Sequence, residues 1–310
     1  MKRLLLIILI CLLPMGAWST DYYGGAAGKN LNANDLWFIQ SEITGSCAAT
    51  GTPVASSTVL QAGNTLYANG CTIAITDSFT ATKISTEDGD GAGAAVGGGG
   101  FTIATDTVTG KTITANIAGG TSTALTMSGA GTLTITGNIT ASSTTLSSHG
   151  LVCSGNAYTL TVNGNVTGGG GTTNSIGIST TGYGASTVNG NVTAGSSQNY
   201  SAPGIYHNNY EGYEVTITGN IINTRQNSAC YGACLWAPSS AQKYVRYVTT
   251  GGSNTLSSGA GIGSDASGTQ VTGANTAAQV AEDSYFIKKD DGVYTEGTKA
   301  AGGGGGAWGF

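Results

Sequence analysis

The chain has 310 residues, of which only 9% are charged and 52 are glycine, and its net charge is −5. Ordinary domains carry about 25% charged residues, and this sparse, acidic balance offers no basic surface for nucleic acid. Glycine shows no strict Gly-X-Y period, which excludes collagen. It alternates instead with Thr, Val and Ile, which favour strands, so many short strands joined by tight turns are expected.

Residues 1–19 read as a secretory signal peptide. Lys2 and Arg3 precede an apolar run from Leu4 to Leu13, Pro14 ends it, and Ala17-Trp18-Ser19 is a small-x-small cleavage site. The run is too short to span a bilayer, which needs about 20 residues. The mature chain would begin near Thr20 and be secreted or held at the cell surface. Cys11 would leave with the signal, and Cys47, Cys71, Cys153, Cys230 and Cys234 would remain. An oxidising compartment permits disulfides. Cys47 with Cys71 is one expected pair and Cys230 with Cys234 the other. An extended strand would hold the latter about 13 Å apart, so a turn at Tyr231-Gly232-Ala233 is required. Cys153 is left over, as a small buried hydrophobe or as a reactive thiol.

Residues 20–71 are aperiodic and read as an N-terminal cap, with one short helix around 32–42. A stack of strands needs such a cap because open edges invite pairing with other chains.

Residues 72–280 read as repeats, with strands beginning near Thr72-Ile-Ala-Ile75. One phrase is written four times: Thr134-Ile-Thr-Gly-Asn-Ile139, Thr161-Val-Asn-Gly-Asn-Val166, Thr187-Val-Asn-Gly-Asn-Val192 and Thr216-Ile-Thr-Gly-Asn-Ile221. Its asparagines, Asn138, Asn165, Asn191 and Asn220, are 27, 26 and 29 residues apart. Thr112-Ile-Thr-Ala-Asn116 is an earlier, shorter copy. Gly150-Leu151, Gly177-Ile178, Gly204-Ile205 and Gly261-Ile262 form a second column. Such a period means stacked units, each too small to bury its own apolar face. Each unit needs a Gly-Leu/Ile strand, a Thr-Ile/Val strand and a third short strand after Asn-Ile/Val.

Side chains alternate across a strand. Ile135, Val162, Val188 and Ile217 are therefore expected to stack inward, with the flanking Thr and Asn outward. Gly137, Gly164, Gly190 and Gly219 are expected to supply a positive φ at the corner. The following asparagines are expected to bond along the stack.

This organisation resembles the right-handed parallel β-helix of the pectin-lyase-like superfold, across about residues 72–276. The resemblance rests on repeat length, Asn/Gly corners and inward aliphatics. It implies an all-β right-handed parallel β-helix, or β-solenoid, of about 26–27 residues per coil with an N-terminal cap. That superfold includes secreted adhesins, surface passengers and polysaccharide lyases, and a shared fold does not carry a function.

Lyases of that fold imply a site of several Asp for calcium, plus Lys or Arg as base. From Thr112 to Tyr210 the chain has no Asp, Glu, Lys or Arg, so the middle coils read as scaffold and no catalytic residue is assigned. Asp88-Gly-Asp90 lacks the other positions of a calcium loop, and the cysteine and histidine spacings match no zinc pattern. No metal or cofactor is expected.

The best ligand candidate is the tyrosine-rich segment 200–247, where Tyr206, His207, Tyr210, Glu211, Tyr213 and Trp236 combine aromatic faces with polar groups, as sugar sites do. Glu211 and Glu214 fall on opposite sides of a strand, a poor glycosidase pair. The rows Thr134, Thr161, Thr187, Thr216 and Thr136, Asn163, Asn189, Thr218 form a regular outward array resembling the ice-binding faces of some solenoids. Residues 281–310 read as a charged, then glycine-rich tail, with Gly302 to Gly306 a flexible linker to Trp308-Gly-Phe310.

The sequence therefore points to a secreted non-enzymatic β-solenoid, adhesin-like or structural. Its candidate partner is a polysaccharide or cell-surface glycan, and its tail is available for self-assembly or envelope attachment. A carbohydrate-active enzyme is the first alternative and an ice-binding protein the second.

Overall fold

The computed structural model describes residues 20–87, 100–103, 110–119, 123–141, 149–170, 176–181, 183–193, 195, 205–207, 214–219, 221–222, 233–236, 244–247, 254–255, 261–262, 279–280, 284–288 and 294–297. Residues 1–19, read from the sequence as a signal peptide, the glycine run 302–306 and Trp308–Phe310 lie outside them.

The fold is mostly β, organised as two long sheets of parallel strands that the chain visits alternately. The first sheet runs through Asp21–Gly24, Thr65–Tyr67, Phe79–Ser85, Lys111–Gly119, Gly131–Thr136, Asn156–Asn163, Tyr183–Val188, Glu214–Ile217 and Tyr244–Tyr247. The second runs through Thr72–Ile75, Gly100–Ile103, Leu125–Met127, Leu151–Cys153, Ile178–Thr180, Ile205–His207, Ala233–Trp236 and Gly261–Ile262. A side ladder of Ile139–Ala141, Val166–Thr167, Val192–Thr193 and Ile221–Ile222 starts against the end of Lys111–Gly119. This ladder is the third strand that the repeated phrase requires.

The phrase sets the register. Thr112, Thr134, Thr161, Thr187 and Thr216 are successive partners, as are Ile113, Ile135, Val162, Val188 and Ile217. The aliphatic column is fully buried, and Leu125, Leu151 and Ile178 from the second sheet and Ile117, Ile139, Val166 and Val192 beside the side ladder join it in one core. Burying each such side chain contributes about 1.5–3 kcal/mol. That gain is available only to stacked units, because the next rung supplies the cover.

The Asn column bonds along the stack. Asn116 Oδ1 accepts from the Asn138 amide at 3.0 Å, Asn138 Oδ1 from Asn165 at 2.9 Å and Asn165 Oδ1 from Asn191 at 2.8 Å. Each side chain thus satisfies a backbone donor at a corner where the ladder would otherwise leave it open.

The corner glycines act differently from the expectation. Only Gly137 has a left-handed φ, of 146°; Gly164, Gly190 and Gly219 do not. At all four a Cβ would overlap backbone of the preceding rung: Ala115 for Gly137, Gly137 for Gly164, Gly164 for Gly190 and Gly190 for Gly219. Glycine is needed here because two backbones approach too closely for any side chain.

The cap also departs from the sequence reading. Strands begin at Asp21, well before Thr72, and Asp21–Gly24 and Thr65–Tyr67 already belong to the first sheet. The helix expected over 32–42 is absent. Trp37–Phe38 is instead a strand antiparallel to Asp21–Gly24, followed by one 3-10 turn at Gln40–Glu42. Leu36, Trp37 and Phe38 are all buried, and the Trp37 indole N–H donates to the Leu31 carbonyl at 2.8 Å. Three consecutive buried apolar residues suit a strand covered on both faces.

Cys47 and Cys71 form the expected disulfide, tying the cap to the turn before Thr72–Ile75. At the far end, Ser284–Lys288 and Tyr294–Gly297 add to Tyr244–Tyr247 as antiparallel strands. Part of the segment read as a tail is thus the last edge of the first sheet.

Candidate functional site

The outward face of the first sheet is built by the alternation that fills the core. One column holds Thr112, Thr134, Thr161, Thr187 and Thr216, and the column two residues along the strand holds Thr114, Thr136, Asn163, Asn189 and Thr218. Register across these five rungs is unbroken in both columns; shifts fall at Asn156/Tyr158 and, on the preceding rung opposite Thr114 and Asn116, at Thr80/Lys83. Neighbouring positions are therefore about 4.8 Å apart between rungs and 6.8 Å along the strand. Asn189 Nδ2 donates to Asn163 Oδ1 at 2.8 Å, and Thr218 Oγ1 donates to the Val188 carbonyl at 3.3 Å. These contacts hold Asn163, Asn189 and Thr218 to fixed positions. The rows seen in the sequence are real and gain a fifth rung from the shorter copy at Thr112–Thr114. At the border, Lys111 Nζ donates to Asp77 Oδ1 at 2.7 Å and holds that carboxyl below the usual range.

Among the ligand candidates, Tyr206 and His207 lie on Ile205–His207 of the second sheet and Trp236 on Ala233–Trp236, the next rung. Tyr206 is the register partner of Trp236 on one side and of Ser179 on the other, and His207 is the partner of Thr180. Tyr210, Glu211 and Tyr213 lie outside the described residues. Glu214 falls in the other sheet, opposite Tyr244, and Arg246 continues the threonine column opposite Thr216. The tyrosine-rich segment is thus divided between the two sheets: Tyr206 and Trp236 in the second, Tyr244 and Tyr247 in the first. A carboxylate pair aided by His207 would need groups from both.

Elsewhere in the chain, an aromatic pair at register-partner positions stacks: Tyr23 and Tyr67 have ring centroids 4.9 Å apart and planes 10° from parallel. The sequence offered no signal for this pair, because 44 residues separate them and neither lies in a repeat.

His149 has a structural task that its isolation in sequence concealed. Its Nδ1 accepts from the Ile176 amide at 3.1 Å, one rung on, and its carbonyl accepts from Ala124 at 2.9 Å, one rung back. Burial holds its pKa below the ordinary value. The available signal was position: His149-Gly150 and Ile176-Gly177 occupy the same place in consecutive repeats.

Cys153 is fully buried in the core, 4.0 Å from the Ser186 hydroxyl, and burial pushes its pKa up to about 12. A thiol so placed is packing material, not a nucleophile. Of the second expected disulfide, Cys230 is outside the described residues and Cys234 lies on Ala233–Trp236. Among the described residues no group of His, Cys, Asp or Glu could hold a metal ion; Asp88 and Asp90 lie outside them.

The chain shows no match to a protein-family model, to a curated protein or to a solved structure.

Proposed function

We propose that this chain is a secreted, non-enzymatic right-handed parallel β-helix that presents a carbohydrate-binding surface, in the manner of an adhesin. The alternation between two parallel sheets, with a return every 22–30 residues in the threonine column, supports the β-helix. Crossovers between parallel strands of one sheet are right-handed in about 98% of cases, which favours that hand. A secreted or cell-surface address rests on the reading of residues 1–19.

The observation that carries the binding function is the register pairing of Tyr206 with Trp236. Aromatic residues on adjacent rungs stand about 4.8 Å apart at the backbone, which suits stacking on the C–H faces of a pyranose, and polar neighbours can bond its hydroxyls. The test is a glycan-array screen of residues 20–310, with Tyr206→Ala and Trp236→Ala as site variants and Tyr244→Ala, on the other sheet, as control. Binding lost in both site variants and kept in the control is the expected result. Binding unaffected by both, or no glycan bound, overturns the proposal, and turnover of a bound glycan would move the reading to an enzyme.

A further inference from the structure

We propose that the threonine–asparagine face of the first sheet adsorbs to ice. The face repeats in two directions, over five rungs and two columns in unbroken register. A doubly periodic array has many equal contacts to offer only to a partner that is itself periodic. The threonines supply hydroxyls, donors and acceptors in kind, although that of Thr218 already donates to the Val188 carbonyl, beside methyls that favour an ordered neighbouring water layer over a mobile one. The aliphatic column beneath is fully buried, so the rungs cannot shift independently, and the contact between Asn163 and Asn189 pins the carboxamides at 2.8 Å.

Other partners fit less well. The columns carry no charge until Arg246, at the rung after Thr216, so polyanions and anionic membranes find nothing to pair with. A second copy of the chain would meet a patch of about 24 Å by 14 Å on the strand spacings, well short of the ~800 Å² per partner of a stable protein interface. Crystalline polysaccharide is periodic too, but the columns contain no aromatic ring for its sugar faces. Ordered water needs only hydroxyls, amides and methyls at fixed intervals.

The inference is tested by partition of the full secreted chain into a slowly growing ice front, with far-UV circular dichroism of each variant as the check on folding. Thr161→Lys places a charge and a long side chain at the centre of the array. Thr161→Val keeps the β-branched shape and removes the hydroxyl. Thr102→Lys, on an outward position of the second sheet, is the control. The expected result is that the wild type and Thr102→Lys enter the ice, Thr161→Lys is excluded, and Thr161→Val partitions less than wild type. Exclusion of the wild type, or equal loss in Thr102→Lys, overturns the proposal. So does pull-down by microcrystalline cellulose or chitin without ice partition, which would assign the face to a polysaccharide lattice. The variants designed for Tyr206 and Trp236 should leave ice partition unchanged, so the two binding proposals fail independently.

Discussion

Replacing Gly164 by alanine should destabilise the protein by about 1–4 kcal/mol, for a reason that has nothing to do with backbone dihedrals. The new Cβ would overlap the carbonyl carbon and oxygen of Gly137 and come within 3.2 Å of the Asn138 nitrogen. All three are backbone atoms, so no side chain can swing aside and the rungs must separate. Three hydrogen bonds from backbone donors cross that gap: the Gly137 amide to the Asn163 carbonyl at 3.1 Å, the Ile139 amide to the Asn165 carbonyl at 2.8 Å and the Asn165 amide to Asn138 Oδ1 at 2.9 Å; the Asn165 side chain adds a longer one to the same oxygen at 3.3 Å. Losing two or three at about 0.5–1.5 kcal/mol each gives about 1–4.5 kcal/mol, a range that overlaps the usual overpacking cost of about 1–3 kcal/mol. Equilibrium urea unfolding followed by circular dichroism measures it, with constant slope confirming that the cooperative unit is unchanged. Two glycines calibrate the result. Gly28 has a φ of 68° and open space, so Gly28→Ala should cost about 1–2 kcal/mol from its conformation alone, and Gly28→Asn should cost less. Gly45 has open space and no left-handed φ, so Gly45→Ala should be neutral or stabilising by up to about 1 kcal/mol. Asparagine at position 164 should be at least as costly as alanine. If Gly164→Asn is instead the milder change, or Gly164→Ala costs under about 0.5 kcal/mol, the close-approach reasoning is wrong.

Reduction of the Cys47–Cys71 disulfide, which closes a loop with a sequence separation of 24, should cost about 3–4 kcal/mol on the chain-entropy estimate, read as a lower urea midpoint in reductant. Cys153 should resist thiol reagents in the folded protein and react on unfolding, since its pKa is about 12 and it is fully buried; labelling at native rates would contradict its placement. His149 should make stability pH-dependent. Its folded pKa is lowered from 6.5, so its contribution is complete above that pH and is lost as pH falls, when the unfolded chain takes up the proton first. The check is the difference between wild type and His149→Ala, which should shrink below pH 6.5. Asn165→Ala should cost about 0.5–1.5 kcal/mol, because it removes the acceptor of one corner amide that water can partly replace.

What could be read from residues alone follows the range of the forces involved. The inward column Ile135–Val162–Val188 and the corner column Asn138–Asn165–Asn191 were legible because a local alternation repeats at a nearly constant interval. The role of Gly164 was not, since its constraint is a carbonyl 27 residues away and not its own φ. The strand Asp21–Gly24 was hidden because its partner, Thr65–Tyr67, carries no copy of the phrase. In the candidate site, Tyr206 and Trp236 were singled out as aromatic residues, but their pairing depends on a rung of 30 residues, longer than those before it. The fifth threonine rung was visible as a short copy, and its register needed the ladder to be seen.

The two borders of the first sheet are both made by antiparallel strands, Trp37–Phe38 at one and Tyr294–Gly297 at the other. Neither continues the parallel run of the interior rungs, so a second molecule would meet an antiparallel border strand at either end of this sheet. Whole repeats could be gained or lost between the borders, for example by duplication of residues 161–186, and each event would widen or narrow the threonine face by one row while leaving both borders intact. Proteins of this design should differ among themselves in steps of one rung.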